Sequence, residues 1–262
     1  MNPRGARIEG VGLVTGWGEG VAALPPDARL AAGRRAVIPI PRPALDGERF
    51  RRATRECLLG IAATRALLRD AGLGGETLRG TTTALLFVTA ASYGASNLDF
   101  TSGGTGSLRF PYTAPSALPA EVAIEFGLRG AYVILVGGAP ATVDALWQAT
   151  RMVADGRAER ALVLAVETFE ECEALWRRAR WIVPAPLVES AACVLVGPGE
   201  AIPRYEPAAT PDARERLIEM TAGRTLACAP LVAAALARGA GGGVVRLGGT
   251  WRGRTAAIEV GT

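Results

Sequence analysis

The 262-residue sequence contains no histidine and no lysine, so each of its 29 positively charged side chains is an arginine. Histidine is the usual acid and base near neutral pH, and lysine forms Schiff bases and binds phosphates. Acid–base catalysis by an imidazole and chemistry at a side-chain amine are therefore excluded here. Four cysteines are present, but they lie far apart and form no Cys-x-x-Cys pair: Cys57, Cys172, Cys193 and Cys228. Without histidine they cannot form a mixed zinc site. We predict no metal site and no cofactor.

Aromatic residues are also scarce, at 6%, whereas 49% of the residues are hydrophobic. With a mean hydropathy of +0.22, this favours an aliphatic globular core over disorder. The net charge of +4 is spread among 25 acidic residues and does not predict nucleic-acid binding. Met1–Arg7 lacks an apolar signal segment, and the longest apolar run, Leu226–Ala237, is too short to span a bilayer. We therefore expect a soluble cytoplasmic protein that binds neither nucleic acid nor membrane.

Short apolar runs alternate with amphipathic segments over the first 200 residues. The apolar runs predict buried strands at Arg7–Thr15, Thr83–Ala90, Tyr132–Val136, Ala161–Val166 and Ala191–Val196. The amphipathic segments predict helices at Phe50–Ala71, Pro119–Phe126, Pro140–Asp155 and about Glu170–Trp181. Leu24–Asp46, which is rich in proline, and Ser92–Gly106, which is rich in glycine and serine, are expected to be loops. The alternation favours a layered α/β fold with helices on both faces of the sheet.

The composition changes near residue 200. A proline-rich linker is predicted at Ala201–Pro211. It is followed by two predicted helices, Ala213–Thr221 with Asp212 as N-cap and Cys228–Arg238. The chain ends in a predicted hairpin of Gly243–Leu247 and Thr255–Val260. We expect two parts, a main unit over residues 1–200 and a short tail over residues 201–262 packed on it.

The most informative stretch is Pro115–Glu167. It contains a Gly-Leu-x-Gly turn at Gly127–Gly130, a buried strand, a Gly-Gly-Ala-Pro elbow and an amphipathic helix. This order resembles the nucleophile region of the β-ketoacyl synthases of the thiolase superfamily. In the family, the elbow residue lies nine positions after this turn, which here is Ala139. Arg151 matches the family's helix arginine, and counting twelve residues back from it also gives Ala139.

The resemblance covers about residues 7 to 200. It implies a thiolase-like layered α/β fold with one complete N-terminal half and a truncated second half. Condensing members of the family carry a cysteine at the elbow, and two histidines from the second half activate the malonyl thioester. This sequence has Ala139 followed by Pro140 at the elbow and no histidine. The resemblance therefore implies that the chain has no catalytic residue.

An elbow without its nucleophile resembles the chain length factor of type II polyketide synthases, most of all the truncated type of polyene-making systems. The resemblance implies a heterodimer with an active β-ketoacyl synthase, a shared tunnel for the growing chain and transient contact with an acyl carrier protein. It implies a pairing strand made of Tyr132, Val133, Ile134, Leu135 and Val136. The tunnel would be lined by Phe100, Leu108, Phe110 and Tyr112, which could equally be packing residues. The carrier protein would dock at Arg51, Arg52 and Arg55.

Two other functions stay open at this point. The chain could be a residual malonyl-carrier-protein decarboxylase or a thioesterase, for which Asp144 is the ionisable group nearest to the elbow. It could also be a purely structural subunit that stabilises a ketosynthase without affecting chain length.

Overall fold

The computed structural model describes residues 5–51, 53–103, 107–179, 181–182 and 185–262, without the side chains of residues 107–109. The strands are β1 (Gly5–Thr15), β2 (Gly18–Glu19), β3 (Val37–Ile38), β4 (Thr83–Thr89), β5 (Tyr132–Val136), β6 (Arg160–Glu167), β7 (Leu187–Val188), β8 (Ser190–Gly199), β9 (Arg204–Glu206), β10 (Val244–Trp251) and β11 (Arg254–Gly261). The α-helices are α1 (Ala28–Ala32), α2 (Arg55–Ala71), α3 (Gly94–Thr101), α4 (Ala117–Phe126), α5 (Ala139–Ala154), α6 (Glu173–Ala179), α7 (Ala213–Ala222) and α8 (Ala229–Gly239). Within these ranges, no helix is both long and apolar enough to cross a membrane.

One mixed sheet organises the described part of the chain, in the order β10-β11-β1-β8-β6-β4-β5. Strands β4 and β5 run parallel to β6, whereas β8 runs antiparallel to both β6 and β1. Helices α2 and α4 cover one face of the sheet, and α5 and α8 cover the other. The central strands are continuous apolar runs because both of their faces are buried. The layered α/β prediction is confirmed.

Helix α2 lies very close to β1 because β1 has glycine where the two elements cross. A β-carbon added at Gly12 would lie 2.0 Å from the carbonyl oxygen of Ala63, and one added at Gly10 would lie 2.6 Å from the β-carbon of Ala71. Only glycine permits this approach. The two glycines of β1 therefore serve the packing of the helix on the sheet.

The last sixty residues share the sheet with the rest of the chain. Strand β11 pairs in parallel with β1, and β9 and β10 pair with β11. The predicted helices and the hairpin after residue 200 are confirmed, and Asp212 begins α7 with a capping box that includes Glu215. The division of the chain into two domains at residue 200 stays a prediction.

Two predicted loops contain regular structure. Within Ser92–Gly106 the chain forms α3, which is held by Asn97, whose side-chain amide donates to the carbonyl oxygens of Tyr93 and Thr113. Within Leu24–Asp46 lie α1 and β3, and β3 pairs with β7. Both loop predictions were wrong because contacts distant in sequence, rather than local propensity, stabilise these short elements.

Candidate functional site

The elbow joins the end of β5 to the start of α5. The N–H of Gly137 donates to the carbonyl oxygen of Thr89 at 2.9 Å, and Gly138 is the N-cap of the helix. Pro140 lies in the first turn, where its missing N–H costs no helical hydrogen bond. Ala139 is buried and presents only a methyl group. The start of this buried helix therefore presents a methyl group and no reactive side chain.

Strand β10 packs directly on this elbow. A β-carbon added at Gly249 would lie 2.4 Å from the β-carbon of Ala139, and one added at Gly138 would lie 2.4 Å from the indole ring of Trp251. The guanidinium of Arg252 stacks over the same indole at 4.5 Å. The backbone of β10 and the Trp251 ring therefore occupy space beside the methyl group, so that the elbow is part of the packed interior.

The carboxylate one turn after the elbow is already bonded, and the buried thiols of the described chain remain protonated. Asp144, one turn into α5, accepts hydrogen bonds from the Tyr205 hydroxyl at 2.6 Å and from Arg254 at 2.7 Å. Burial raises the pKa of the Cys57 thiol to about 12 and also raises the pKa values of Cys193 and Cys228. A protonated thiol is a poor nucleophile. None of these groups is therefore ready to replace an elbow cysteine.

A buried carboxylate behind the elbow was not singled out from the sequence. Glu167, at the end of β6, accepts hydrogen bonds from the backbone N–H groups of Ala90, Ala91 and Ala227, at 2.7, 2.9 and 3.3 Å. Burial raises the pKa of Glu167 to about 8. The hydrogen bonds from these N–H groups and from the Thr89 hydroxyl lower the pKa, but burial has the larger effect. The only signal in the sequence is an acid that directly follows the apolar run Ala161–Val166, and a buried acid needs internal partners.

A second buried carboxylate, Glu189, binds one of the predicted docking arginines. Arg55 donates to both oxygens of Glu189, with Nη2 at 2.9 Å from Oε1, and also to the carbonyl oxygen of Ile40 at 2.8 Å. The N–H groups of Ile40 and Phe169 donate to the same carboxylate at 2.8 and 3.0 Å. The Arg55 side chain is only 17% exposed. Its guanidinium is therefore used inside the chain.

The other predicted docking arginines have different surroundings. Arg51 is exposed and forms an ion pair with Glu48 at 3.2 Å. Arg52 lies outside the residues that the structure describes. Of the predicted docking residues, the structure therefore places only Arg51 at the surface of the described part of the chain.

The predicted tunnel residues form a partly exposed aromatic group. The rings of Phe100 and Phe110 are 5.5 Å apart and tilted by 55°, and Phe110 is 61% exposed. Tyr112 packs against the hydrophobic core under α2 and α4. The side chain of Leu108 lies outside the described part of the chain. Phe100 and Phe110 are thus brought together, and Tyr112 lies nearer to the core.

The predicted pairing strand lies at one edge of the sheet. Strand β5 pairs with β4, and in the described part of the chain no strand pairs with its other edge. Tyr132 and Val136 are exposed, whereas Val133, Ile134 and Leu135 are half-buried. The Tyr132 hydroxyl donates to the carbonyl oxygen of Ser116 at 3.1 Å, which links this edge to the segment after Tyr112.

Comparison with known proteins identifies the family. The model of the β-ketoacyl synthase N-terminal domain matches residues 42–181, which include the elbow and the helices on either side of it. The chain belongs to this family. None of the curated proteins matches it in sequence. The prediction made from the Gly-Leu-x-Gly turn and the elbow is confirmed.

Solved structures with the same fold share little sequence with this chain. A type II polyketide synthase acyl-carrier protein in complex with its ketosynthase, bound to the hexaketide, matches with a TM-score of 0.76 and 12% identity, covering 98% of this chain and 99% of that chain. The ishigamide ketosynthase/chain length factor matches with a TM-score of 0.71 and 18% identity, covering 98% of this chain and 99% of that chain. A β-ketoacyl synthase from Burkholderia phymatum STM815 matches with a TM-score of 0.71 and 14% identity, covering 99% of this chain and 100% of that chain. The fold is therefore thiolase-like.

Replacing Arg55 tests its role within the chain. In Arg55→Ala the carboxylate of Glu189 stays buried without its cation, so we expect the free energy of unfolding to fall by about 3–5 kcal/mol. The matched control is Arg51→Ala, which removes an exposed ion pair. It should change the free energy of unfolding by less than about 0.5 kcal/mol. Urea denaturation of the two variants measures both values. Equal stabilities would contradict the structural role of Arg55.

Glu167 should make stability depend on pH. Its pKa of about 8 in the folded chain exceeds the value of about 4.3 expected on unfolding. The folded chain therefore binds the proton more tightly, so the free energy of unfolding should fall between about pH 5 and pH 8, by up to about 1.4 kcal/mol per pH unit. Glu167→Gln should remove this slope, and the exposed Glu173→Gln should keep it. Urea denaturation across this pH range measures the slopes, and an unchanged slope in Glu167→Gln would refute the assignment.

Proposed function

We propose that this chain is a non-catalytic chain length factor. It forms a heterodimer with an active β-ketoacyl synthase and shapes the tunnel for the acyl or polyene chain in type II polyketide or fatty-acid-like biosynthesis. The observation that carries this proposal is the elbow. A helix start of nucleophile geometry presents the methyl group of Ala139, and β10 packs against it.

The chemistry of condensation explains why the activity belongs to the partner. Acyl transfer needs a thiolate at the elbow, and activation of the malonyl group needs acid–base groups. This sequence has neither a cysteine at the elbow nor any histidine. In the proposed complex, the residues around Ala139 keep the elbow packed, and the reactive groups come from the ketosynthase.

The edge of β5 supports the proposed heterodimer. A free strand edge offers unpaired N–H and C=O groups to another strand. The residues Tyr132, Val133, Ile134, Leu135 and Val136 carry no charge that would oppose pairing with a second sheet edge. In the proposal, the ketosynthase pairs with this edge and extends the sheet across the two subunits.

The aromatic group beside this edge supports a role in chain length. Phe100 and Phe110 contact one another, and the hydrogen bond from Tyr132 to Ser116 links β5 to the segment that carries Phe110 and Tyr112. With Leu108, these bulky side chains would form the closed end of a tunnel at the subunit interface. A closed end limits the length of the chain that the tunnel accommodates.

The two alternatives have less support. Asp144, the candidate for a residual decarboxylase or thioesterase, has both carboxylate oxygens bonded to Tyr205 and Arg254. A purely structural subunit predicts that product length is independent of Phe110 and Tyr112. For carrier-protein docking, Arg51 and Arg52 stay in the proposal, whereas Arg55 is bonded to Glu189.

Co-expression with a type II ketosynthase tests the heterodimer and the tunnel together. We expect a stable complex and, for Phe110→Ala and Tyr112→Ala, longer products than the wild-type complex makes, because smaller side chains deepen the tunnel. Ile202→Ala is the matched control, since Ile202 is exposed and lies far along the chain. Product lengths are measured by mass spectrometry. Unchanged lengths with an intact complex would instead identify a purely structural subunit.

Ala139→Cys tests whether the elbow is closed. We expect the variant to remain unable to decarboxylate malonyl carrier protein, because β10 packs on this side chain and the chain has no histidine. The added sulfur should also lower the free energy of unfolding by about 1–3 kcal/mol through overpacking. Product assays with the wild-type chain as control measure decarboxylation, and urea denaturation of the same two chains measures the change in the free energy of unfolding. Turnover by either chain alone would favour the decarboxylase alternative.

A further inference from the structure

Helices α1 and α7 pack against each other at the surface of the chain. Trp17 links them, because its indole N–H donates to the carbonyl oxygen of Ala222 at the end of α7, at 3.0 Å. The guanidinium of Arg35, which follows α1, lies 5.8 Å from the centre of the same indole ring. We call the exposed side chains of residues 29–34 and 213–220 the α1–α7 face.

The α1–α7 face exposes large apolar side chains. Leu30 is 79% exposed, Leu217 is 56% exposed and Met220 is 49% exposed. Leu217 and Met220 lie on the same side of α7, because they are three positions apart in a helix. The other side of α7 packs on the core through Ile218 and Ala222. The face therefore offers apolar contacts that the described part of the chain leaves unused.

The same face carries positive charge beside these apolar side chains. Four of its members are exposed arginines: Arg29, Arg34, Arg214 and Arg216. Across the described ranges, none of their guanidinium groups forms an ion pair or a hydrogen bond. In each of the two helices, one of these arginines directly precedes an exposed leucine. Cationic and apolar groups are thus next to one another on this face.

The carboxylates close to the α1–α7 face are used within the chain. Asp27 accepts a backbone N–H as the N-cap of α1. Asp212 and Glu215 form the capping box of α7, and Glu219 pairs with Arg224 at 2.7 Å. Residues 27–35 and 212–224 together hold six arginines and four acids, which leaves a net charge of +2. The face therefore attracts a partner with negative charge.

An acidic, amphipathic segment of a protein matches this surface better than nucleic acid or lipid does. Single-stranded nucleic acids bind where arginines accompany aromatic side chains, whereas the exposed apolar side chains here are aliphatic. A helix that lies in a membrane surface needs a large apolar face, and the inner side of α7 is already packed on the core. Arginine pairs strongly with carboxylates, and methionine adapts its shape to a partner.

We propose that the α1–α7 face binds an acidic, amphipathic helix of the acyl carrier protein. Carboxylates of that helix pair with the four arginines, and its apolar side chains contact Leu30, Leu217 and Met220. This inference rests on the proposed function, in which a carrier protein contacts the complex transiently. It adds a docking contact to the one proposed at Arg51 and Arg52. A small surface of mixed character suits a transient contact, because charge speeds association more than it raises affinity.

The double variant Arg29→Glu/Arg214→Glu tests the charges. Both positions lie in the first turn of their helices, where the helix dipole favours an acid, so the variant should stay folded. In complex with the ketosynthase, we expect its Kd for the carrier protein to rise at least about 10-fold at low salt. The difference from the wild type should shrink as salt rises. Fluorescence anisotropy of the labelled carrier protein measures the Kd values.

Arg157→Glu/Arg204→Glu is the matched control for charge. It makes the same change at two exposed arginines outside the α1–α7 face and should change the Kd by less than about 2-fold. Leu217→Ser/Met220→Ser tests the apolar contacts, and its Kd should rise about 5-fold at both low and high salt. Ile202→Ser, another exposed apolar side chain, is the control for that change.

Hydrogen exchange of the complex gives a second measurement. With the carrier protein bound, the backbone N–H groups of residues 28–34 and 213–222 should exchange more slowly, because the partner covers both helices. Slower exchange confined to residues 48–55 would overturn the inference and favour docking at Arg51 and Arg52 alone.

The outcomes separate this inference from the proposed function. Formation of the complex and its product lengths test the heterodimer without reference to the α1–α7 face. If the complex forms but does not bind the carrier protein, or if both charge variants bind it equally, the inference is wrong and the heterodimer stands. If the Arg29→Glu/Arg214→Glu variant loses binding only to phosphatidylglycerol vesicles, a lipid surface is the partner and the inference is also wrong. If no complex forms with any type II ketosynthase, the proposed function fails.

Discussion

The buried carboxylate of Glu189 is the interaction on which one side of the molecule depends. It binds the guanidinium of Arg55 and accepts from the N–H groups of Ile40 and Phe169. These contacts fasten the start of α2 to the segment before it and to the chain after β6. One buried acid whose donors are all in place therefore holds three distant parts of the chain together.

Elements whose pattern is local could be predicted from the sequence, and elements that depend on distant contacts could not. Strands β4 and β6 are continuous apolar runs. The position of Ala139 at the elbow follows from two motifs, the Gly-Leu-x-Gly turn before it and Arg151 after it. Helix α3 is polar and short and is stabilised by Asn97, whose amide reaches Thr113. The partner of Arg55 is 134 residues away in the chain. No local pattern reveals such a pairing, and the three clustered arginines suggested a surface instead.

The elbow is a position of close packing. In the proposal, Ala139 has a methyl group where condensing members of the family have a thiol, and this difference can be seen in the sequence. The contact of Gly249 with that methyl group, and of Trp251 with Gly138, can be seen only in the structure. Each of these contacts depends on a glycine, because a side chain at either glycine would collide with the opposite element. The packing of β10 against the elbow is therefore consistent with the proposed non-catalytic role.

The edge of β5 bears on the specificity of the proposed heterodimer. It is uncharged and apolar, so it supplies strand pairing that many sheet edges could accept. In the proposal, the choice between ketosynthases therefore depends on side-chain contacts beyond the paired strands, because an incorrect partner would leave polar groups there without partners.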